Sequence, residues 1–164
     1  MGQDKVTMSE VERATLEFVA QHRDNYLSSC GLDGHILDYR NLGGHRFTTT
    51  MLIETIGRKS GERRITPLIY GDTNGEVVAI ASKGGADIHP GWYHNLREMP
   101  EVTIQIGGQA FRCTWREPDR AERQAIWDFM AALFPPYLDY QAATSRQIPI
   151  VMFQPGDELE PFTA

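Results

Sequence analysis

Two short turns concentrate the chemically useful side chains of this sequence. Gly57-Arg58-Lys59-Ser60-Gly61 is strongly basic, with Arg63 and Arg64 just beyond it. Ala81-Ser82-Lys83-Gly84-Gly85 is small and Gly-rich, and His89-Pro90-Gly91-Trp92-Tyr93-His94-Asn95 follows as the opening of a helix. Glycine lets backbone approach a flat ligand closely, because no Cβ stands in the way. N–H groups at a helix start face negative charge. Lys59 supplies a point charge and Arg64 a planar fork for phosphate or carboxylate. Ser60 and the amides around Gly61 add neutral donors. Together the turns describe a site for a flat ring with an anionic tail. Lys83 and the neighbouring amides face a ring edge in that reading, and Trp92 either closes over the ring or belongs to the core.

A third cluster lies near the C-terminus. Phe134, Tyr137 and Tyr140 fall within seven residues, and Tyr137 and Tyr140 share a face of any helical turn. They form either an apolar pocket wall with two hydroxyl handles or ordinary packing. No HExxH, GxSxG, P-loop or CxxC motif occurs. His89 and His94 are badly spaced for a shared metal, and no nucleophile–base set is recognisable, so no metal site is expected. A ligand-shaped site without a catalytic set borrows its chemistry from a cofactor.

The 164 residues suit one globular unit, with 41% hydrophobic and 23% charged content. A net charge of −6 argues against nucleic-acid binding. Against that acidic background, Arg58, Lys59, Arg63 and Arg64 read as a local anion site. No run approaches the ~20 apolar residues of a membrane helix. Met1-Gly2-Gln3-Asp4-Lys5 lacks an apolar leader core, and the expectation is a cytoplasmic protein. Cys30 and Cys113 suggest no disulfide framework, and Cys113 reads as a buried thiol.

The elements that must position these turns are mostly strands. Ser9 and Glu12 fit a capping box, predicting a helix from Ser9 to Asp24 with Val11, Ala14, Thr15, Phe18 and Val19 as its apolar stripe. Residues 25–45 read as a connection with a short strand near 35–39. Strands follow at 46–56, 63–70 and 76–81, with Asp72-Thr73-Asn74-Gly75 as a hairpin turn. A helix spans 90–98. Val102, Ile104 and Ile106 alternate into the Gly107-Gly108 turn, and Phe111, Cys113 and Trp115 return. Helices are expected at 118–133 and 137–146, a last strand at 148–153, and a loose acidic tail at 155–164. Tight turns between consecutive strands favour an antiparallel α+β barrel over a doubly wound sheet. The expected organisation is an N-terminal helix and connection (1–45) packed on a barrel domain (46–154).

Taken in order, GRKSGE (57–62), TPLIYG (66–71), ASKGG (81–85), HPGWYHNL (89–96), the Gly-Gly hairpin and PPYLDYQ (135–141) resemble the deazaflavin-dependent nitroreductase family over residues 50–154. The resemblance implies a split β-barrel, coenzyme F-420, and hydride transfer to a small-molecule acceptor such as an enone, quinone or nitro compound. It implies roles for Arg58, Lys59, Ser60, Gly61 and Arg64 toward the phosphate and tail, and for Thr66 and Pro67 at the ring. Ala81, Ser82, Lys83, Gly84 and Gly85 would meet the deazaflavin edge, flanked by Trp92 and Asn95. Phe134, Tyr137 and Tyr140 would line the substrate side, and Tyr137, Tyr140, Ser82 or water would serve catalysis as the proton source. Phe134 stands where the best-known member has Tyr, and Glu54-Thr55-Ile56 replaces a run of threonines. The alternatives are an FMN enzyme of the same fold and a non-catalytic deazaflavin or lipid carrier. The assembly is expected to be a monomer or homodimer.

Overall fold

The computed structural model describes residues 9–164. Its elements run α1 (Glu10–Ser28), β1 (Ile36–Leu37), β2 (Thr48–Ile56), β3 (Arg63–Ile69), β4 (Gly71–Thr73), β5 (Glu76–Ile80) and α2 (Gly91–Leu96). Then come β6 (Glu101–Ile106), β7 (Gln109–Arg116), α3 (Arg123–Leu133), α4 (Pro136–Ala142) and β8 (Ile150–Leu159). All strand pairs are antiparallel, in the order β1-β2-β6-β7-β8-β5-β4, with β3 paired to β2. The sheet curls into the half-barrel that tight hairpins predict. No helix among the described residues is long and apolar enough to cross a membrane.

The hairpins form where the turn chemistry demands. Asn74 and Gly75 take φ of 52° and 80°, the left-handed pair that matches strand twist in a two-residue turn. In the next hairpin Gly107 alone is left-handed, at 58°, and the turn brings Ile106 opposite Gln109.

Side-chain alternation sends successive residues of β5 to opposite faces. Val77 and Ala79 join Met51, Ile53, Trp92, Leu96, Ile104 and Phe153 in one buried cluster. Val78 and Ile80 join Met130, Phe134, Tyr137, Ile150 and Met152 in another, covered by α3 and α4. A smaller cluster of Tyr26, Leu52, Ala110 and Phe162 seats α1.

Four sequence expectations shift. The capping box at Ser9 and Glu12 is present, but α1 runs four residues further than expected, to Ser28. Its stripe is displaced too: Val11, Ala14, Thr15 and Phe18 are exposed, and the helix buries His22 and Tyr26 instead. Tyr26 reaches across to donate to the Thr50 carbonyl at 3.0 Å and accepts from the Gly107 N–H at 2.8 Å. α3 starts five residues late because Asp119 and Glu122 exchange side-chain-to-backbone hydrogen bonds at 2.9 Å, which closes a separate turn before the helix. α4 ends at Ala142 and not at 146.

The tail expected to be loose is built into the sheet. β8 continues to Leu159 beside β7, pairing Cys113 with Pro155, Phe111 with Glu158 and Ala110 with Leu159. A register shift between Phe111 and Cys113 accommodates Pro155, which cannot donate to a regular ladder. The acidic residues are the exposed side of this strand, and Phe162 is buried beyond it.

Candidate active site

The basic turn joins β2 to β3 and is held by its own backbone. The Gly57 N–H donates to the Glu62 carbonyl and the Gly61 N–H to the Gly57 carbonyl, each at 2.8 Å. Gly61 sits at φ +71°, where glycine is favoured. A Cβ on Gly57 would fall 2.4 Å from Ser60 Oγ, which in turn accepts from the Glu62 N–H at 3.2 Å. Asn95 of α2 fastens the turn from outside. Its buried Oδ1 accepts from the Arg58 backbone N–H at 3.1 Å and from the Arg58 guanidinium at 3.2 Å, and its Nδ2 donates to Thr55 Oγ1 at 3.4 Å.

Strand alternation then divides the two following arginines. Arg63 turns to Glu54 and to the Thr163 carbonyl. Arg64 faces a cleft of about 580 Å³. Arg58, Lys59, Ser60, Arg64, Thr66, Lys83, Trp92 and Asn95 line this cleft, together with Leu16, Thr55, Gly57, Pro90 and Gly91. None of these is acidic. The nearest ion pair, Arg64 with Glu62 at 3.4 Å, is solvent-exposed on both sides and therefore weak. His94 registers the local field: burial first, then Arg58, Arg97, Lys83 and Lys59, hold it below the ordinary histidine value.

The second turn enters through one side chain. Lys83, Gly84 and Gly85 take φ of 46°, 61° and 83°, three left-handed residues in succession. Lys83 lines the cleft. The Gly85 and Ala86 amides are spent inside the turn, on the Ser82 and Lys83 carbonyls at 3.0 and 3.2 Å. Gly85 is buried against α4, where a Cβ would lie 2.9 Å from the Tyr140 Cα.

Eight expected cofactor residues therefore meet at one cleft, whereas Gly61, Pro67, Ala81, Ser82, Gly84 and Gly85 do not line it. Trp92 is 7% exposed in the core and also lines the cleft. Asn95 lines the cleft, but its amide is committed to Arg58 and Thr55. The aromatic trio sits elsewhere. Phe134 and Tyr137 are each 3% exposed and pack with α3 in the cluster across the sheet from Trp92. Their rings meet edge-on at 5.0 Å, and burial pushes the Tyr137 phenol far above its ordinary value. Both rings pack in the core, and neither lines the cleft. Tyr140 is half-buried and touches the Gly85 turn. Sequence reasoning missed Leu16, an exposed helix residue with no local signal, and Thr55, whose full burial depends on the fold.

A family model described as F420H(2)-dependent quinone reductase matches residues 35–155. The chain belongs to this family. Among its relatives, the F420H(2)-dependent quinone reductase Rv1261c of Mycobacterium tuberculosis is 35% identical over 115 residues, 66% of this chain and 77% of that protein. A solved F420-H2 dependent reductase, FDR-A, is 38% identical, with a TM-score of 0.58 over 63% of this chain and 92% of its own. A structure described as a domain-swapped dimer is 31% identical, with a TM-score of 0.60 over 88% and 99% of the two chains. The F420H(2)-dependent quinone reductase family is a family of oxidoreductases, so the chain is an enzyme and the carrier alternative lapses. The family's description names F420, and the FMN alternative finds no support. It also names a quinone, so the nitroreductase label fits less closely than the resemblance implied.

Proposed function

We propose that this chain binds reduced coenzyme F420 in the 580 Å³ cleft and reduces a quinone there. The observation that carries the reading is the convergence of Arg58, Lys59, Arg64 and Lys83 on one acid-free cleft in a chain of net charge −6. That donor set fits a phosphate and polycarboxylate tail. Trp92 and Thr66 supply a flat and a polar wall for a ring. When bound, the coenzyme supplies a hydride as a two-electron donor.

The protein's part is to bind, orient and exclude water. Arg58, Lys59 and Arg64 anchor the tail, with Ser60 and Gly61 beside them. Lys83, with the turn from Ala81 to Gly85, meets the ring edge. A quinone that accepts a hydride must also gain a proton on oxygen. We assign that proton to Ser82, to Tyr140 or to solvent, and place Tyr137 in the supporting wall. The relative that is a domain-swapped dimer supports a homodimer over a monomer. Both cysteines are free thiols, which suits a cytoplasmic location.

Titration of the protein into F420, followed by coenzyme fluorescence, tests the reading. Affinity should fall at least tenfold between about 0.05 and 1 M salt, as the screening length drops from roughly 14 Å to about 3 Å. Equal affinity at both salts would remove the tail from this turn.

A further inference from the structure

We propose that Arg146 is the positioning residue of the ring-edge turn: its guanidinium grips the inner carbonyls so that the Ser82 and Lys83 amides face away from it, toward bound coenzyme. The proposal rests on the reading that this turn meets F420. Arg146 lies in the connection from α4 to β8 and is half-buried. Its Nε–H donates to the Ala86 carbonyl at 2.7 Å, its Nη2–H to the Ser82 carbonyl at 2.7 Å, and Nη1–H to the Ala81 carbonyl at 3.3 Å. A further Nη1–H meets His89 Nδ1 at 2.9 Å. Among the described residues no carboxylate lies within ion-pair distance of Arg146. This arginine is therefore committed to three backbone carbonyls and to His89.

The grip falls where the turn is most strained. The Ser82 carbonyl belongs to the peptide plane that ends at Lys83. Relaxing the φ of 46° at Lys83, unusual for a residue with a Cβ, requires that plane to rotate. Rotation would break the 2.7 Å contact to Arg146. In a trans peptide the C=O and N–H point in opposite directions. Drawing the Ala81 and Ser82 carbonyls toward the guanidinium therefore turns the Ser82 and Lys83 N–H groups outward. Lys83 is the residue of this turn that lines the cleft.

The grip is itself anchored. Gln141 of α4 donates to the Arg146 carbonyl at 2.8 Å, and Thr144 Oγ1 donates to Asp87 at 2.9 Å. Arginine has no acceptor, so His89 Nδ1 must accept, which fixes the ring neutral with its proton on Nε2. Burial and then Arg146 hold His89 below its ordinary value, consistent with that state.

Hydrogen exchange on the apo protein tests the grip without coenzyme. In Arg146→Met the Gly85 and Ala86 amides should exchange at least tenfold faster, with the β6–β7 hairpin unchanged. Arg146→Lys should lie between, since one ammonium replaces part of the fork. F420 titration should show a matching rise in Kd of tenfold or more, and single-turnover hydride transfer at saturating coenzyme should slow, both partly restored in Arg146→Lys. Unchanged exchange at 85–86, or equal acceleration throughout the sheet in both variants, overturns the proposal. Failure of the wild-type protein to bind F420 would instead overturn the coenzyme reading and leave the exchange result to judge the grip.

Discussion

The basic turn at 57–64 and the aromatic segment at 134–140 were both legible as chemistry in the sequence, yet only the first reached the cleft. The difference lies in how each kind of residue is satisfied. Four cations within seven residues have no way to pack, so those not held by a close carboxylate face solvent or an anion. Arg63 finds Glu54, Arg64 makes only an exposed pair with Glu62, and Arg58, Lys59 and Arg64 line the cleft. Aromatic rings are satisfied equally well on either face of a sheet. α3 covers one face of β5 and β8, and Phe134 and Tyr137 complete that cover. Residue type announces a cation's destination far better than an aromatic's.

The largest expected effect lies on the aromatic side. Phe134 touches Tyr39 and Tyr137 edge-on at 5.5 and 5.0 Å, and Gly44 packs beneath it. Phe134→Ala should lower unfolding stability by about 3–5 kcal/mol, as for other buried aromatic truncations. Coenzyme affinity of the folded protein should change by less than about threefold. A large loss of affinity with little loss of stability in urea unfolding would put the aromatic segment back at the site.

Lys59→Ala should show the reverse. Losing one charge-assisted contact costs on the order of 1.5–3 kcal/mol of binding, or roughly ten- to hundredfold in Kd. The melting temperature should hold, because Lys59 is exposed. A variant that melts early yet binds normally would make Lys59 structural.

Titration should divide along the same line between core and cleft. His22 is buried against the Gly34 carbonyl and Thr50, and burial holds it below its ordinary value. The unfolded chain then binds the proton more readily, so stability is complete above about pH 6.5 and is lost as pH falls toward the folded value. The slope from one such group is at most about 1.4 kcal/mol per pH unit. His22→Gln should flatten part of the stability profile between pH 5 and 7 while leaving coenzyme affinity alone. A profile identical to wild type would mean that His22 does not titrate on unfolding.

Tyr137→Phe should have the smallest effect. With Tyr137 packed in the α3–α4 cluster and outside the cleft lining, hydride transfer to a quinone should stay within about threefold of wild type. A loss near a hundredfold, with coenzyme binding intact, would make the hydroxyl part of the reaction.

What the sequence disclosed was local. The capping box at Ser9, the Asn74-Gly75 turn and the alternating strands around Gly107-Gly108 each encode their geometry within a few residues, and each appears as expected. What it concealed depends on distant partners. The stripe of α1 is set by Tyr26 reaching Thr50 and Gly107, not by the spacing of Val11 and Phe18. The acidic tail becomes strand because β7 offers a free edge and a register shift that tolerates Pro155. Arg146 stands alone in Ser145-Arg146-Gln147, and its value appears only when a loop sixty residues earlier closes over it.

The position of β8 between β5 and β7 has a consequence for how the molecule is made. Hairpins β4–β5 and β6–β7 can each close as soon as they leave the ribosome, since their partners are adjacent. They remain separate pieces until residues 150–159 are synthesised and slide between them. The β5 and β7 edges thus wait, unpaired, through the translation of α3 and α4, a period in which nascent chains are open to mispairing. Joining the β4–β5 hairpin to the rest of the sheet therefore waits on this late segment, a long-range closure of the kind that slows folding.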